Sequence, residues 1–205
     1  MTRIVLAALW LSLLFATRAL DAAITWHYDP GLVHEANPLV RILGGGWAAI
    51  LVANASMCLL IGWATLAWYR SKPRTDLAVR SHSTWDYAAL LLFGRTMSRW
   101  QFILRHLSTL LPPRERERRA GLAHLYGFVL PPVLVVAGVI AVAVWVTNYG
   151  WHLDWAVRLY RMLGYGLVLV PAGITLIFAE AAFFHIEFRR AQRASTDMAF
   201  EGKER

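Results

Sequence analysis

Four long apolar stretches divide the sequence, at residues 4–24, 47–69, 125–147 and 163–184. Each is long enough to cross roughly 30 Å of hydrocarbon as a helix, which takes about 20 residues. In lipid every backbone N–H and C=O needs a partner within its own segment, so the crossings must be helical. The pattern therefore predicts an all-α, polytopic membrane bundle with about four transmembrane helices, and residues 1–205 form a single membrane domain.

A different pattern occupies the connection between the second and third stretches, residues 70–123. Its apolar residues recur every three or four positions, with Arg95, Arg99 and Arg105 between them, which predicts one amphipathic helix. The apolar positions are Ala89, Leu92, Phe93, Met97, Trp100, Ile103, Leu104, Leu107 and Leu111. Such a helix suits the cytoplasmic interface, because each arginine would cost about 2.5 kcal/mol or more at the bilayer centre.

The basic residues predict the orientation of the bundle. Residues 70–123 contain eleven Lys or Arg and the tail, residues 186–205, contains five, whereas the two short connections contain only Arg41, Arg158 and Arg161. Basic loops remain in the cytoplasm. We therefore expect both the N-terminus and the C-terminus to be cytoplasmic, together with the basic loop.

The composition excludes an ordinary soluble domain. Apolar residues make up 58% of the chain and charged residues 17%, against about 25% in soluble proteins, and the mean hydropathy is +0.44. Ten tryptophans fit membrane–water interfaces. The net charge of +8 lies mostly in loop and tail, so we assign it to orientation and anionic lipid rather than to nucleic acid. The first apolar stretch exceeds a typical signal-peptide core, so we expect it to be retained.

Polar residues gather near the end of the first apolar stretch. Arg18, Asp21 and Thr25 follow one another at spacings of three and four, so they share one face of the predicted helix. One interpretation is a proton or ion site. The interpretation we favour is an Arg18–Asp21 pair that orients the first helix against its neighbours.

The next segment, residues 34–38, also has two interpretations, a helix cap and a metal site. Asn37 followed by Pro38 is typical of a helix start, and Glu35 could reach the same backbone amides. The alternative is a metal site on the outer face, although the spacing matches no zinc or copper signature. Its candidate ligands are Asp21, His27, His34 and Glu35, with Asp29, His152 and Asp154 as further possibilities.

Part of this region resembles a known family. The pattern consists of Asp21, Thr25, Gly31, Glu35, Asn37 and Pro38, followed by an apolar helix. Over about residues 15–70 it is similar to a family of small bacterial multi-pass membrane proteins of unknown function with an Asp-x3-Thr…Gly-x3-Glu-x-Asn-Pro pattern. The resemblance implies a compact bundle whose polar residues meet at one membrane face, in a bacterial inner membrane. It implies no reaction.

Two histidines are weak candidates for a cofactor. His124 precedes the third apolar stretch and His185 follows the fourth, so both are expected at the inner interface. Two histidines at one depth on two helices could ligate a haem, although these two lie nearer to the helix ends than a buried porphyrin would require.

Four other polar residues have structural interpretations. Asn54, in the middle of the second stretch, is expected to hydrogen-bond to another helix. Glu180, inside the fourth stretch, is either paired with a basic residue or functional. Glu187 and Arg190 read as ordinary boundary charges.

Several enzyme signatures are missing from the sequence, namely HExxH, GxSxG and a Walker loop. We predict no catalytic residue, name no cofactor, and favour a non-enzymatic protein while leaving activity open. The expected function is a membrane subunit or scaffold that packs against larger membrane proteins. The alternatives are a polar outer-face site for a metal, a proton or a small solute, and a haem-, pigment- or quinone-binding subunit of an electron-transfer or light-harvesting complex.

Overall fold

The computed structural model describes residues 3–33, 40, 44–108, 116–164 and 166–201. These residues form helices and their connections, and no strand occurs among them, which confirms the all-α prediction.

The helices are numbered here in chain order. They are α1 (Arg3–Tyr28), α2 (Trp47–Arg70), α3 (Thr75–Val79), α4 (Thr84–Phe93), α5 (Arg99–Ser108), α6 (Arg116–Trp145), α7 (Asp154–Leu163) and α8 (Gly166–Glu201), with a π-helical turn at Val146–Gly150 after α6. Four of them, α1, α2, α6 and α8, are long and apolar enough to cross a membrane. The chain is therefore a multi-pass membrane protein by the length and composition of its helices.

The first two crossings have nearly the predicted bounds, whereas the last two differ. Helix α6 begins at Arg116, well before the apolar stretch. Leu163 belongs to α7, and Gly164, at φ +50°, separates α7 from α8. The 36 residues of α8 extend over about 54 Å at 1.5 Å per residue, so this helix continues beyond the hydrocarbon.

Helix α6 is the centre of the bundle. Helices α1, α2 and α8 all pack against it, and α1 also packs against α2. The closest approach is at Gly127, where an added Cβ would overlap the Ala64 carbonyl of α2. Gly127 therefore permits two helix backbones to touch, as small residues commonly do between membrane helices.

At the same crossing, a proline removes one backbone hydrogen bond from α6. Pro131 has no N–H, so the Gly127 carbonyl four residues earlier loses its partner within the helix. The buried Thr65 hydroxyl of α2 lies 2.8 Å from that carbonyl and 2.8 Å from the Ile61 carbonyl of its own helix, so its single proton can be donated to Gly127 or shared between the two. A backbone acceptor that would be unsatisfied in the membrane is thereby satisfied by a neighbouring helix.

The bundle has two ends, which we call the loop end and the opposite end. At the loop end, Arg3 at the start of α1 contacts Ser71, which follows α2, and Glu187 of α8. At the opposite end, the Trp47 indole donates to the Pro30 carbonyl at 2.8 Å. Its ring lies 5.0 Å from that of Trp26, centroid to centroid.

The prediction of one continuous amphipathic helix from Ala89 to Leu111 is wrong. Gly94, at φ +66°, ends α4 in the left-handed region and donates its N–H to the Leu90 carbonyl at 2.9 Å. Helix α5 then starts afresh, with Ser98 and Gln101 exchanging side-chain and backbone hydrogen bonds in a capping box.

The two halves of the predicted helix also differ in burial. In α4 every residue from position 87 to 92 is buried in protein, so its apolar face does not meet lipid. In α5 only Phe102 is buried among the side chains described, and most of the others are exposed. Only α5 therefore remains as the predicted interfacial amphipathic helix.

An aromatic ladder joins four helices at the loop end. Ring centroids are separated by 5.0 Å between Trp68 and Phe128, by 5.8 Å between Phe128 and Phe183, by 5.4 Å between Phe183 and Phe184, and by 5.9 Å between Phe184 and Phe102. The ladder passes from α2 through α6 and α8 to α5. It therefore attaches the loop helices to the membrane-spanning helices.

Candidate functional site

A group of polar side chains sits directly above the aromatic ladder. We call it the loop-end cluster: Arg3 of α1, Trp68 and Ser71 at the end of α2, and Glu187 and Arg190 of α8. Glu187 is its centre and is only 6% exposed. Its carboxylate lies 3.4 Å from the Arg3 guanidinium and 3.2 Å from that of Arg190, and it accepts a hydrogen bond from the Trp68 indole at 3.1 Å.

The two arginines of the loop-end cluster also hold the end of α2. Arg3 donates to the Trp68 carbonyl and, at 3.3 Å, to the Ser71 carbonyl, and Arg190 donates to the Ser71 carbonyl at 2.6 Å. Carbonyls at a helix C-terminus lack partners and carry the negative end of the helix dipole. The guanidinium of Arg3 also lies 4.4 Å from the centroid of the Trp68 ring. The cluster thus fastens α1, α2 and α8 together.

The loop helices close over this cluster. Tyr87 of α4 is fully buried with its ring centroid 5.6 Å from that of Phe188, and burial raises the pKa of its hydroxyl. Arg74 donates to Asp76 at 3.1 Å, and this hydrogen bond lowers the pKa of the Asp76 carboxyl. His124 of α6 lies within electrostatic range of Glu187.

The reading of Glu187 and Arg190 as ordinary boundary charges is wrong. Glu187 follows Phe183 and Phe184 by four and three residues, so it shares their buried face of α8. This spacing was visible in the sequence. The sequence did not show that Arg3, at the other end of the chain, would be its partner.

The Arg18–Asp21 pair expected from the sequence forms in the structure. The Arg18 guanidinium lies 3.6 Å from the Asp21 carboxylate, and it also donates to the Leu134 carbonyl of α6 at 3.4 Å. Thr25 is buried on the same helix. An added Cβ at Gly138 would overlap the Arg18 side chain, so this glycine makes room for the pair between α1 and α6.

The predicted metal ligands are only partly described. Asp29 is buried and accepts a hydrogen bond from the Val33 N–H at 2.9 Å, which stabilises the turn after α1. His27 is exposed, with its ring against Tyr28. Among the described residues no three His, Cys, Asp or Glu side chains are grouped for a metal ion. His34, Glu35 and Asn37 lie outside those residues, so the metal site and the helix cap remain predictions.

The remaining candidates lie apart from one another. Asn54 donates to the Ile50 carbonyl of its own helix at 3.1 Å, not to another helix as predicted. Glu180 is half-buried on α8. His185 is exposed, whereas Glu187, two residues on, is buried, so the two lie on different faces of α8. His124 belongs with the groups around Glu187, and haem ligation by His124 and His185 remains a prediction.

Comparison of the chain with protein-family models, with curated proteins and with solved structures gives no match in any of the three.

Proposed function

We propose that this protein is a non-enzymatic membrane subunit or scaffold that packs against larger membrane-protein partners. The observation that carries the proposal is the burial of α8. Among the side chains of α8 that the structure describes, the fully buried ones lie between Phe183 and Ala191, and none of residues 166–182 is fully buried. Ten of those seventeen residues are half-buried and seven are exposed, so this half of α8 is covered less completely by its own chain than residues 183–191 are.

The face of α8 that would receive a partner contains Gly173. This residue precedes Glu187 by fourteen positions, and two heptads keep a residue on nearly the same face of a helix. That face is buried at Glu187, yet a Cβ added at Gly173 would meet nothing within 4 Å. Small residues with open space in front of them allow another membrane helix to approach closely.

The charged residues at both ends support a structural role for the chain. Arg18 and Asp21 pair with each other and fasten α1 to α6. Arg3 and Arg190 both bind Glu187 and the end of α2. In each case the ionised groups are engaged in holding helices together, which is the task expected of a scaffold.

The proposal places the protein in a bacterial inner membrane with the loop end in the cytoplasm. The basic loop supports the orientation, and the family resemblance over residues 15–70 supports the membrane. A Lys72→Cys variant in a Cys58→Ala background tests the orientation, because Lys72 is exposed at the loop end and Cys58 is the one native cysteine. A membrane-impermeant maleimide should label it only after spheroplasts are broken, and labelling of intact spheroplasts would reverse the orientation.

Affinity purification in a mild detergent tests the subunit proposal. We expect a membrane protein to co-purify in fixed stoichiometry, and Gly173→Leu should abolish this association because the leucine fills the open space. Ala182→Leu is the matched control, since nine residues place it about 180° around the helix. A chain that purifies alone from its native membrane, or a complex that Gly173→Leu leaves intact, would contradict the proposal.

A further inference from the structure

A groove lies at the elbow between α4 and α5. Its volume is 660 Å³, and it combines cationic, polar and apolar side chains. The residues that line it are Arg95, Thr96, Met97, Gln101, Leu104 and Arg105. Two guanidinium groups beside Leu104 and Met97 make a site of mixed character, suited to a ligand with an anionic head and an apolar body.

The position of α5 along the bundle places this groove at the membrane–water boundary. Phe102 is buried with its ring 5.9 Å from that of Phe184, centroid to centroid. Phe184 is the last residue of the apolar stretch 163–184, and the next residues of α8 include Glu187, Arg189 and Arg190. Helix α5 therefore packs where α8 passes from hydrocarbon to charged side chains.

The exposed side of α5 has the composition of a membrane-surface helix. Trp100 is 75% exposed and Leu104 is 67% exposed, beside the exposed Arg99 and Arg105. Exposed tryptophan and leucine are costly in water but favourable at the level of lipid headgroups. The exposure of these apolar side chains beside arginines is explained if this surface of α5 lies against lipid.

One arginine of the groove, Arg105, and its neighbour Arg99 each contact an aromatic ring. The Arg105 guanidinium lies 5.4 Å from the centroid of the Phe93 ring, and that of Arg99 lies 5.9 Å from the centroid of the Trp85 ring. Such contacts help to orient a cationic group. A guanidinium held in this way can donate two parallel hydrogen bonds to a phosphate.

We propose that the groove binds an anionic phospholipid, with its phosphate between Arg95 and Arg105 and its acyl chains beside Leu104 and Met97. The anionic headgroup complements the two arginines, and the acyl chains cover the apolar side chains that water would otherwise meet. A free phosphate ester would leave the apolar side uncovered. The proposal is independent of the proposed function, because a lipid site is compatible with any activity of the bundle.

Native mass spectrometry of the purified full chain in detergent tests the site. Phosphatidylglycerol and phosphatidylcholine with identical acyl chains are the probes. We expect the wild-type chain to prefer phosphatidylglycerol, and Arg95→Gln combined with Arg105→Gln to lower its association constant for that lipid roughly thirtyfold, because two basic contacts are lost. Arg95→Lys combined with Arg105→Lys keeps both charges but loses the paired guanidinium hydrogen bonds, so its affinity for phosphatidylglycerol should lie between those of the wild type and the double glutamine variant.

A matched control removes the same charge elsewhere. Arg80 and Arg193 are exposed and do not line the groove, so Arg80→Gln with Arg193→Gln should leave phosphatidylglycerol binding within about twofold of wild type. Circular dichroism establishes whether each variant is folded. If the double glutamine variant does not fold, lipid binding is measured on the two single glutamine variants instead. Equal affinity for the two lipids, or equal losses in the groove and control variants, would overturn the proposal.

Two competitors distinguish the source of the ligand. Glycerol phosphate has the anionic group without acyl chains and should not displace phosphatidylglycerol. A poly-glutamate peptide should not displace it either. Displacement by glycerol phosphate would make the groove a soluble-phosphate site, and displacement by the peptide would make it a protein-docking site; either result contradicts the lipid assignment.

Discussion

The loop end and the opposite end of the bundle are held together in different ways. At the loop end an aromatic ladder lies next to a cluster of ions centred on the buried Glu187, and side-chain contacts of these two groups join the five helices α1, α2, α5, α6 and α8. At the opposite end the aromatic contacts join α1 to α2 and to the turn after α6, whereas residues 166–182 of α8 contain no buried side chain. The fully buried side chains described in α8 therefore lie at the loop end, and the rest of its apolar half is half-buried or exposed.

The physical reason for this difference is the solvent. Lipid tails are as apolar as leucine, so burying an apolar side chain between membrane helices yields little hydrophobic free energy. The loop helices α3 and α4 lie outside the predicted crossings, where the hydrophobic effect in water favours burial. Specific contacts accordingly accumulate at the loop end, and an apolar face left in lipid, such as that of α8, is stable without them.

The largest expected effect follows from removing the centre of the loop-end cluster. Glu187→Ala leaves Arg3 and Arg190 without their carboxylate. We expect a loss of about 3 kcal/mol in the free energy of unfolding, near the lower end for a broken buried pair because both arginines are partly exposed. Denaturant unfolding in detergent, followed by circular dichroism, measures it. Asp197→Ala, on the exposed part of the same helix, should cost less than about 0.5 kcal/mol, and equal losses in both variants would contradict this account of the cluster.

A pair of glycine substitutions compares the two regions directly. Gly127→Ala should cost about 2 kcal/mol, because its methyl group overlaps the Ala64 carbonyl and forces α2 away from α6. Gly173→Ala should stabilise the chain by up to about 1 kcal/mol, because the space is open and alanine favours the helix. Thermal unfolding in detergent gives both values. If Gly173→Ala destabilises the chain as much as Gly127→Ala, the opposite half of α8 is packed after all.

Two threonines provide a finer comparison. The hydroxyls of Thr65 and Thr175 each lie 2.8 Å from a carbonyl four residues earlier in their own helix, but that of Thr65 also lies 2.8 Å from the Gly127 carbonyl across the α2–α6 crossing. Thr65→Val should cost about 1 kcal/mol, since the carbonyl freed by Pro131 is left unsatisfied. Thr175→Val should be close to neutral. The same unfolding measurement checks both, and a neutral Thr65→Val would mean that the freed carbonyl finds another donor.

The smallest effect is a pH dependence at the loop end. Arg74 lowers the pKa of Asp76, so the contribution of this pair is present above the unfolded carboxyl pKa, about 4, and is lost as pH falls through the folded value. Both side chains are exposed, so the contribution should stay below about 0.5 kcal/mol. In Asp76→Asn the difference from wild type should therefore vanish at acidic pH. A difference that persists there would have another cause.

The crossings and one ion pair could be predicted from local patterns in the sequence. Apolar length predicted four membrane helices, and the spacing of Arg18 and Asp21 predicted their pair. Both depend on residues close together in the chain.

The elbow and the loop-end cluster were missed for different reasons. Gly94 ends α4 in the middle of an unbroken helical period, because a left-handed glycine cap overrides the apolar pattern. The contact between Arg3 and Glu187 joins residues 184 positions apart, and no local pattern encodes such a distance. The Phe183–Phe184–Glu187 spacing predicts a shared helix face but cannot identify the helix that covers it.

The central claim is that α8 is packed more tightly at the loop end than at the opposite end, where its side chains are half-buried or exposed. Pulsed electron paramagnetic resonance tests it directly, with spin-label pairs between α6 and α8 in a Cys58→Ala background. One pair occupies Tyr126 and His185 at the loop end, and the other occupies Val139 and Ile174 toward the opposite end, all four being exposed. The account predicts a narrow distance distribution for the first pair and a broad one for the second, narrowing when a partner binds; equally narrow distributions in the purified chain would contradict it.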